Sequence, residues 1–217
     1  MLIGVSRAYK ESSNCRMEAQ YGLQKKKVLI PLKLVQGYEA DDLIATYTRL
    51  ACEAGMRVTI VSSDKDLMQL VDDHQVMLLD HFKNREIGAE GVAEKFGVGP
   101  DKVIDVQALA GDSSDNVPGV PGIGIKTAAQ LINEYGDLDT LLDRANEIKQ
   151  PKRRQNLIEQ ADLAHISRDL VRLRDDVALR APGRLADVLG AARKGEVGAA
   201  HQAPHGGPCR CVGSDKV

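Results

Sequence analysis

Aromatic side chains are scarce. Phe, Tyr and Trp together make up 3% of the 217 residues, and Trp is missing altogether. Any core must therefore be built from Leu, Val, Ile and Ala, which the 43% hydrophobic content allows. A surplus of charge is lacking too: 29 Lys and Arg face 31 Asp and Glu, for a formal net charge of −2. Total charge thus announces no nucleic-acid partner, and any basic footprint must be local. No run of about 18 apolar residues suggests a membrane span, and the N-terminus lacks the apolar stretch of a signal peptide. Cys15, Cys52, Cys209 and Cys211 form no disulfide framework. A reducing, cytoplasmic setting and no membrane partner are expected. There are no long-period repeats.

From Glu39 onward the chain is patterned. "EADDLIATYTRLACEAG" places Leu43, Ile44, Tyr47, Leu50 and Ala51 at helical spacing, with Gly55 as the stop. "RVTIV" (57–61) and "QVMLLD" (75–80) read as buried strands, and "SSDKDLMQLV" between them as capping residues followed by a helix. "VLIPLKLV" (28–35) reads as a strand that Pro31 would push to an edge or break. The β-α-β-α-β order predicts an α/β fold with a mostly parallel sheet. Beyond residue 87 helices are expected over 88–96, 100–110, 124–135, 137–145 and 151–170, then a short strand at "LVRLRDDV". Residues 1–27 are polar and hard to read, with Glu11 and Glu18 their only acids. From Ala181 the composition turns to Gly, Ala, Pro and His, the mark of a loose tail.

Acidic groups recur at places where they are unusual together. Glu39, Asp41 and Asp42 open a helix, where its dipole favours negative charge. Asp64 and Asp66 follow a strand's carboxyl end, where open α/β sheets bind ligands. Asp112 and Asp115 sit where a helix ends in Gly111. Singly, each group has a local reading: helix-start acids, an N-cap with a first-turn acid, an Asx turn. Gathered at one sheet edge, they would repel one another unless cations offset the charge. Hard oxygen ligands with no Cys or His among them suit Mg²⁺ or Mn²⁺. A pair of such ions is the usual device for phosphodiester hydrolysis.

Close by runs "VPGVPGIGIKT" (117–127). It is no P-loop, because Ile125 separates Gly124 from Lys126, and no dinucleotide fingerprint, because no strand precedes it. A helix–hairpin–helix fits better. The Pro-Gly pairs make tight turns, and Gly119, Gly122 and Gly124 leave backbone amides open to a phosphate. The helix start with Lys126 and Thr127 points the same way. Such a hairpin holds a DNA backbone without reading bases; the alternative is an ordinary structural corner.

In "GYEADDLIATYTRLA", "VTIVSSDKDLMQLV" and "ALAGDSSDNVPGVPGIGIKTAAQLINEYGDLDTLL" the chain resembles the 5′–3′ exonuclease domain of bacterial DNA polymerase I and, more broadly, the flap-endonuclease family. The resemblance covers roughly residues 36 to 180. It implies a PIN-like, resolvase-like nuclease fold and two-ion cleavage of duplex DNA bearing a 5′ end or flap, in replication and repair. It puts Asp41, Asp42 and Asp64 nearest the catalytic ions, and Glu39, Asp66, Asp112 and Asp115 at outer or second-metal positions. The hairpin matches the family's duplex-binding motif, whose carbonyls also hold K⁺.

Departures from the family accompany the match. That family opens with a strand ending in Asp-Gly, then a second strand ending in Asp, then a basic and aromatic helical arch. Residues 1–35 match none of these and contain no Asp. The expected organisation is a divergent segment (1–35), a partial α/β nuclease domain lacking the first strand (36–110), a helix–hairpin–helix region (111–180) and a loose tail (181–217), a piece of the family's domain with unrelated sequence at both ends. A catalytically impaired duplex-binding module is the alternative function. Two minor features remain: His201, His205, Cys209 and Cys211 as a metal-like set in the tail, and "KQPKRRQ" (149–155) as a solvated helix start or a phosphate-contact patch.

Overall fold

The computed structural model describes residues 2–5, 29–32, 39–80 and 82–178. His201, His205, Cys209 and Cys211, Cys15 and the tail lie outside the described residues. Among those described, no helix is long and apolar enough to cross a membrane. The chain forms two compact units, one of residues up to Gly88 with those from Arg174 onward, the other Ala89–Leu173.

The first unit is a five-stranded sheet in the order β2-β1-β3-β4-β5. Its strands are β1 (Leu2–Val5), β2 (Leu29–Leu32), β3 (Val58–Val61), β4 (Val76–Asp80) and β5 (Arg85–Ile87). All neighbours are parallel except β4 and β5. The expected gap for a first strand is not there: β1 lies between β2 and β3, in register with both. Pro31 pairs opposite Gly4 in β2, on the sheet edge where a missing N–H costs least. The other edge, β5, is three residues long and presents exposed Arg85 and Glu86, a short charged edge that discourages further pairing. Its brevity hid it from sequence patterning.

Helix α1 (Ala40–Glu53) buries Leu43, Ile44, Tyr47 and Ala51, one face at i, i+3/i+4 spacing. It ends as the sequence predicts. Gly55 takes φ +73°, its N–H donates to the Cys52 carbonyl and Met56 N–H donates to the Ala51 carbonyl, a Schellman closure. The segment after β3 departs from expectation, forming only a 3₁₀ turn over Asp66–Leu70. Of "LVRLRDDV" (170–177), expected as a strand, Leu170 and Val171 end a helix, and the residues from Arg174 contain neither helix nor strand. Instead they strap α1. Val177 N–H donates to Thr46 Oγ1 (3.3 Å), and Arg49 Nε donates to the Asp175 carbonyl (2.9 Å).

The second unit is helical: α2 (Ala89–Phe96), α3 (Val103–Ala110), α4 (Ile125–Tyr135), α5 (Leu138–Asp143), α6 (Pro151–Glu159) and α7 (Ala161–Val171). The long helix expected over 151–170 is two, divided at Gln160 (φ −113°, ψ 21°). Phe96, Val103, Leu109, Ile132, Leu138, Leu141 and Leu157 fill the core, nearly all of it aliphatic as the composition requires. Asp137 caps α5 by accepting the Thr140 N–H (2.7 Å).

Candidate active site

Five of the seven acids singled out in the sequence belong to the first unit. Glu39 is the N-cap residue of α1 but its side chain makes no cap bond; Asp41 and Asp42 occupy the first turn. Asp64 lies in the loop after β3. Its N–H donates to Ser62 Oγ (3.1 Å), and its Oδ1 accepts the Asp66 N–H (3.0 Å) in a local turn; Asp66 is the expected first-turn acid, but the N-cap position falls to Lys65 and not to Asp64. The decisive residue is Asp41. Burial, then the charges of Asp64, Asp66, Glu39 and Asp42, push its carboxyl from 3.8 up to about 7. A helix N-terminus favours a carboxylate, so here desolvation and repulsion outweigh the helix. The two carboxylate groups thus converge on one half-buried side chain. Asp42 is held differently: Oδ1 accepts the Arg174 N–H (2.9 Å), and Thr46 Oγ1 donates to its carbonyl (2.8 Å).

Asp112 and Asp115 belong to the second unit. Gly111, at φ +72°, ends α3. Asp112 then pairs with Val117 in an antiparallel bridge, N–H to carbonyl in both directions (2.9 and 2.8 Å). Its buried Oδ1 accepts the Ser114 N–H (2.9 Å), the expected Asx turn. Carboxylate oxygens of Asp112 and of exposed Asp115 come within 4.8 Å of each other.

Residues 117–124 form the hairpin between α3 and α4. Its glycines do different jobs. Gly119 (φ +61°) is buried, and a Cβ there would strike the Gly111 backbone, with Gly111 Cα only 2.6 Å away. Its N–H donates to Ser167 Oγ (3.1 Å), so its glycine requirement is internal. Gly122 is exposed at φ +79°, a conformation that needs glycine. Gly124 has an ordinary φ of −99° and open space around it. Lys126 is exposed and Thr127 half-buried on the first turn of α4. Asn156 Nδ2 donates to the Pro121 carbonyl (2.7 Å), fastening the hairpin to α6. Sequence reasoning missed Ser167, Asn156, Thr46 and the Arg174 N–H. Each acts across 35 to 132 residues, where no local pattern signals it.

Two family models tile this arrangement: the 5′–3′ exonuclease N-terminal resolvase-like domain matches residues 21–97, and the 5′–3′ exonuclease C-terminal SAM fold matches residues 98–189. The chain belongs to the 5′–3′ exonuclease family. The match reaches beyond the 36–180 span that the motifs mark. DNA polymerase I of Rhizobium leguminosarum is 56% identical over 178 residues, which cover 79% of this chain and 17% of that protein. Flap endonuclease Xni of Edwardsiella ictaluri is 42% identical over 144 residues, covering 66% of this chain and 56% of that one. The chain therefore spans a minor part of the polymerase relatives and little more than half of Xni. The structure of T5 D15 protein co-crystallized with metal ions superposes with a TM-score of 0.63 at 24% identity, over 85% of this chain and 71% of that one. That likeness establishes the shared fold.

Proposed function

We propose that this 5′–3′ exonuclease family chain hydrolyses phosphodiester bonds of DNA from the 5′ end, as an exonuclease or 5′-flap endonuclease in replication and repair. The observation that carries the reading is Asp41, whose carboxyl is raised to about 7 among Glu39, Asp42, Asp64 and Asp66. Acids so placed destabilise a fold at neutral pH unless cations offset them. The donors are all oxygen, which fits Mg²⁺ or Mn²⁺ and not zinc. Asp41, Asp42 and Asp64 would hold the ions, with Glu39 and Asp66 around them; Asp112 and Asp115 are assigned outer positions by resemblance. When bound, such ions supply charge to offset the phosphodiester and acidify water. The chain's own residues do the positioning. Arg174 N–H fixes one oxygen of Asp42, leaving the other for a ligand. Ile123 N–H donates to the Val120 carbonyl (3.1 Å); the amides of Gly122 and of Gly124 to Thr127, with the Lys126 side chain, would hold backbone phosphates and ignore bases. K⁺ at the hairpin carbonyls follows from the resemblance alone, and the cytoplasmic setting from cysteine usage alone.

One observation favours the second reading, a duplex-binding module with weakened catalysis. The sheet's β1 has the sequence LIGV, without the carboxylate that the family's first strand carries. Both readings meet one test, a labelled 5′-flap duplex incubated with Mn²⁺. Cleavage that Asp64→Asn abolishes supports the nuclease. Binding without cleavage selects the module, and a chain that neither binds nor cleaves overturns both.

A further inference from the structure

The first half of α6 carries charge that the hairpin does not use. Between Ile148 and Ile158 the sequence has Lys149, Lys152, Arg153 and Arg154 and no acid. The carboxylates at either end are engaged: Glu147 takes both Arg144 Nε (2.9 Å) and Nη2 (2.6 Å), and Glu159 accepts from Gln155 Nε2 (2.8 Å). Arg154 is half-buried and reaches back to the Ile148 carbonyl. Among the described residues, Lys149, Lys152 and Arg153 make no ion pair or side-chain hydrogen bond. Lys149 and Lys152 are exposed and Arg153 partly so.

Asn156 gives this strip its place. Its side chain touches the Pro121 carbonyl, and its Nδ2 lies 3.9 Å from where a Cβ on Gly122 would stand. Lys152 and Arg153 precede Asn156 by four and three residues on the same helix. Side chains at those spacings share a face, with Cβ atoms about 5–6 Å apart. The strip therefore begins one helical turn from the hairpin. Duplex DNA offers about one phosphate per 1.7 Å of axis, so a backbone seated on the hairpin runs past cations at that distance. We propose that Lys149, Lys152 and Arg153 form a second contact with the phosphodiester backbone of duplex DNA, continuous with the hairpin and blind to sequence. This rests on the hairpin reading above and extends it to a separate element.

The test measures duplex binding by fluorescence anisotropy in EDTA, across salt concentrations, for the full chain and the Lys149→Gln/Lys152→Gln/Arg153→Gln variant. Each phosphate contact contributes about 0.9 to the slope of log K against log salt. Three lost contacts lower that slope by about 2.7, so between about 50 and 200 mM salt the parent chain should lose about 40-fold more affinity than the variant. The loss should be the same for duplexes of unrelated sequence. An unchanged slope, or a loss confined to one sequence, overturns the inference. Lys126→Gln separates the two levels. A slope lowered by about 1 for Lys126→Gln beside an unchanged triple variant leaves the hairpin standing and removes the α6 contact. No effect in either variant removes both.

Discussion

Replacing Asp41 by Asn should stabilise the metal-free protein, and more so as pH rises. In the folded state the Asp41 carboxyl stands at about 7 against an ordinary 3.8. Between those values the folded chain holds a proton that the unfolded chain has released, so stability falls as pH rises through the window, and the penalty is complete above pH 7. The approximately three-unit shift corresponds to a ceiling of about 4 kcal/mol, at 1.36 kcal/mol per unit. Asp41 keeps some contact with water, and salt screens its neighbours, so about 2 kcal/mol is the working expectation. Asn keeps the shape and cannot ionise. In EDTA its advantage over wild type should be near zero at pH 4 and about 2 kcal/mol at pH 8, a rise in Tm of roughly 5–10 °C for a unit of this size. Saturating Mn²⁺ should reverse the order, because the wild type gains about 2.7 kcal/mol at a hundredfold excess over Kd and the variant loses a ligand. Thermal melts by circular dichroism at unit steps of pH, with EDTA and with Mn²⁺, measure all of this. An Asn variant no more stable than wild type at pH 8 in EDTA, or an advantage flat with pH, would refute the convergence of charge on Asp41.

Two of the three hairpin glycines should separate cleanly. Gly119→Ala forces a Cβ into the Gly111 backbone at φ +61° and should cost about 3 kcal/mol or more, lowering Tm. Gly124→Ala meets open space and should leave stability within about 0.5 kcal/mol while weakening duplex binding. Thr46→Val keeps the shape but removes the acceptor for the Val177 N–H; a buried donor left without a partner costs about 1–3 kcal/mol, and chemical denaturation would read it.

Where pattern and physics act over a few residues, the sequence was sufficient. The α1 stripe and Gly55 settled a helix and its end, and Pro31 put its strand at an edge. Where the cause lies far along the chain, it was not. "SSDKDLMQLV" has a helix's composition, but the Asp64 turn tightens its start and extended Val71 (ψ 131°) leads it off towards β4 after five residues. "LVRLRDDV" alternates like a strand, yet its first residues finish α7, and the amides of Arg174 and Val177 go to the side chains of Asp42 and Thr46, not to a neighbouring strand. β1 was illegible for another reason: four residues in a polar stretch carry no period, and only their pairing with β2 and β3 makes them a strand. The acids of the site were legible because chemistry confines them to short motifs. The groups that hold them in place were not.

The strap across α1 bears on how the protein comes to be made. Residues from Arg174 leave the ribosome only after all of the helical unit has been synthesised, yet they complete the unit that emerged first. Until then the Asp42 carboxylate lacks its backbone partner, and the Thr46 hydroxyl lacks Val177. Joining Thr46 to Val177 closes a loop spanning 131 residues, at an entropic cost of about 4 kcal/mol for a flexible chain. Prior folding of the helical unit shortens that loop and lowers the cost. The chain is therefore built to fold its middle before it finishes its beginning. Cutting it at the 97/98 boundary between the two family models would yield an N-terminal piece that waits for a strap it never receives.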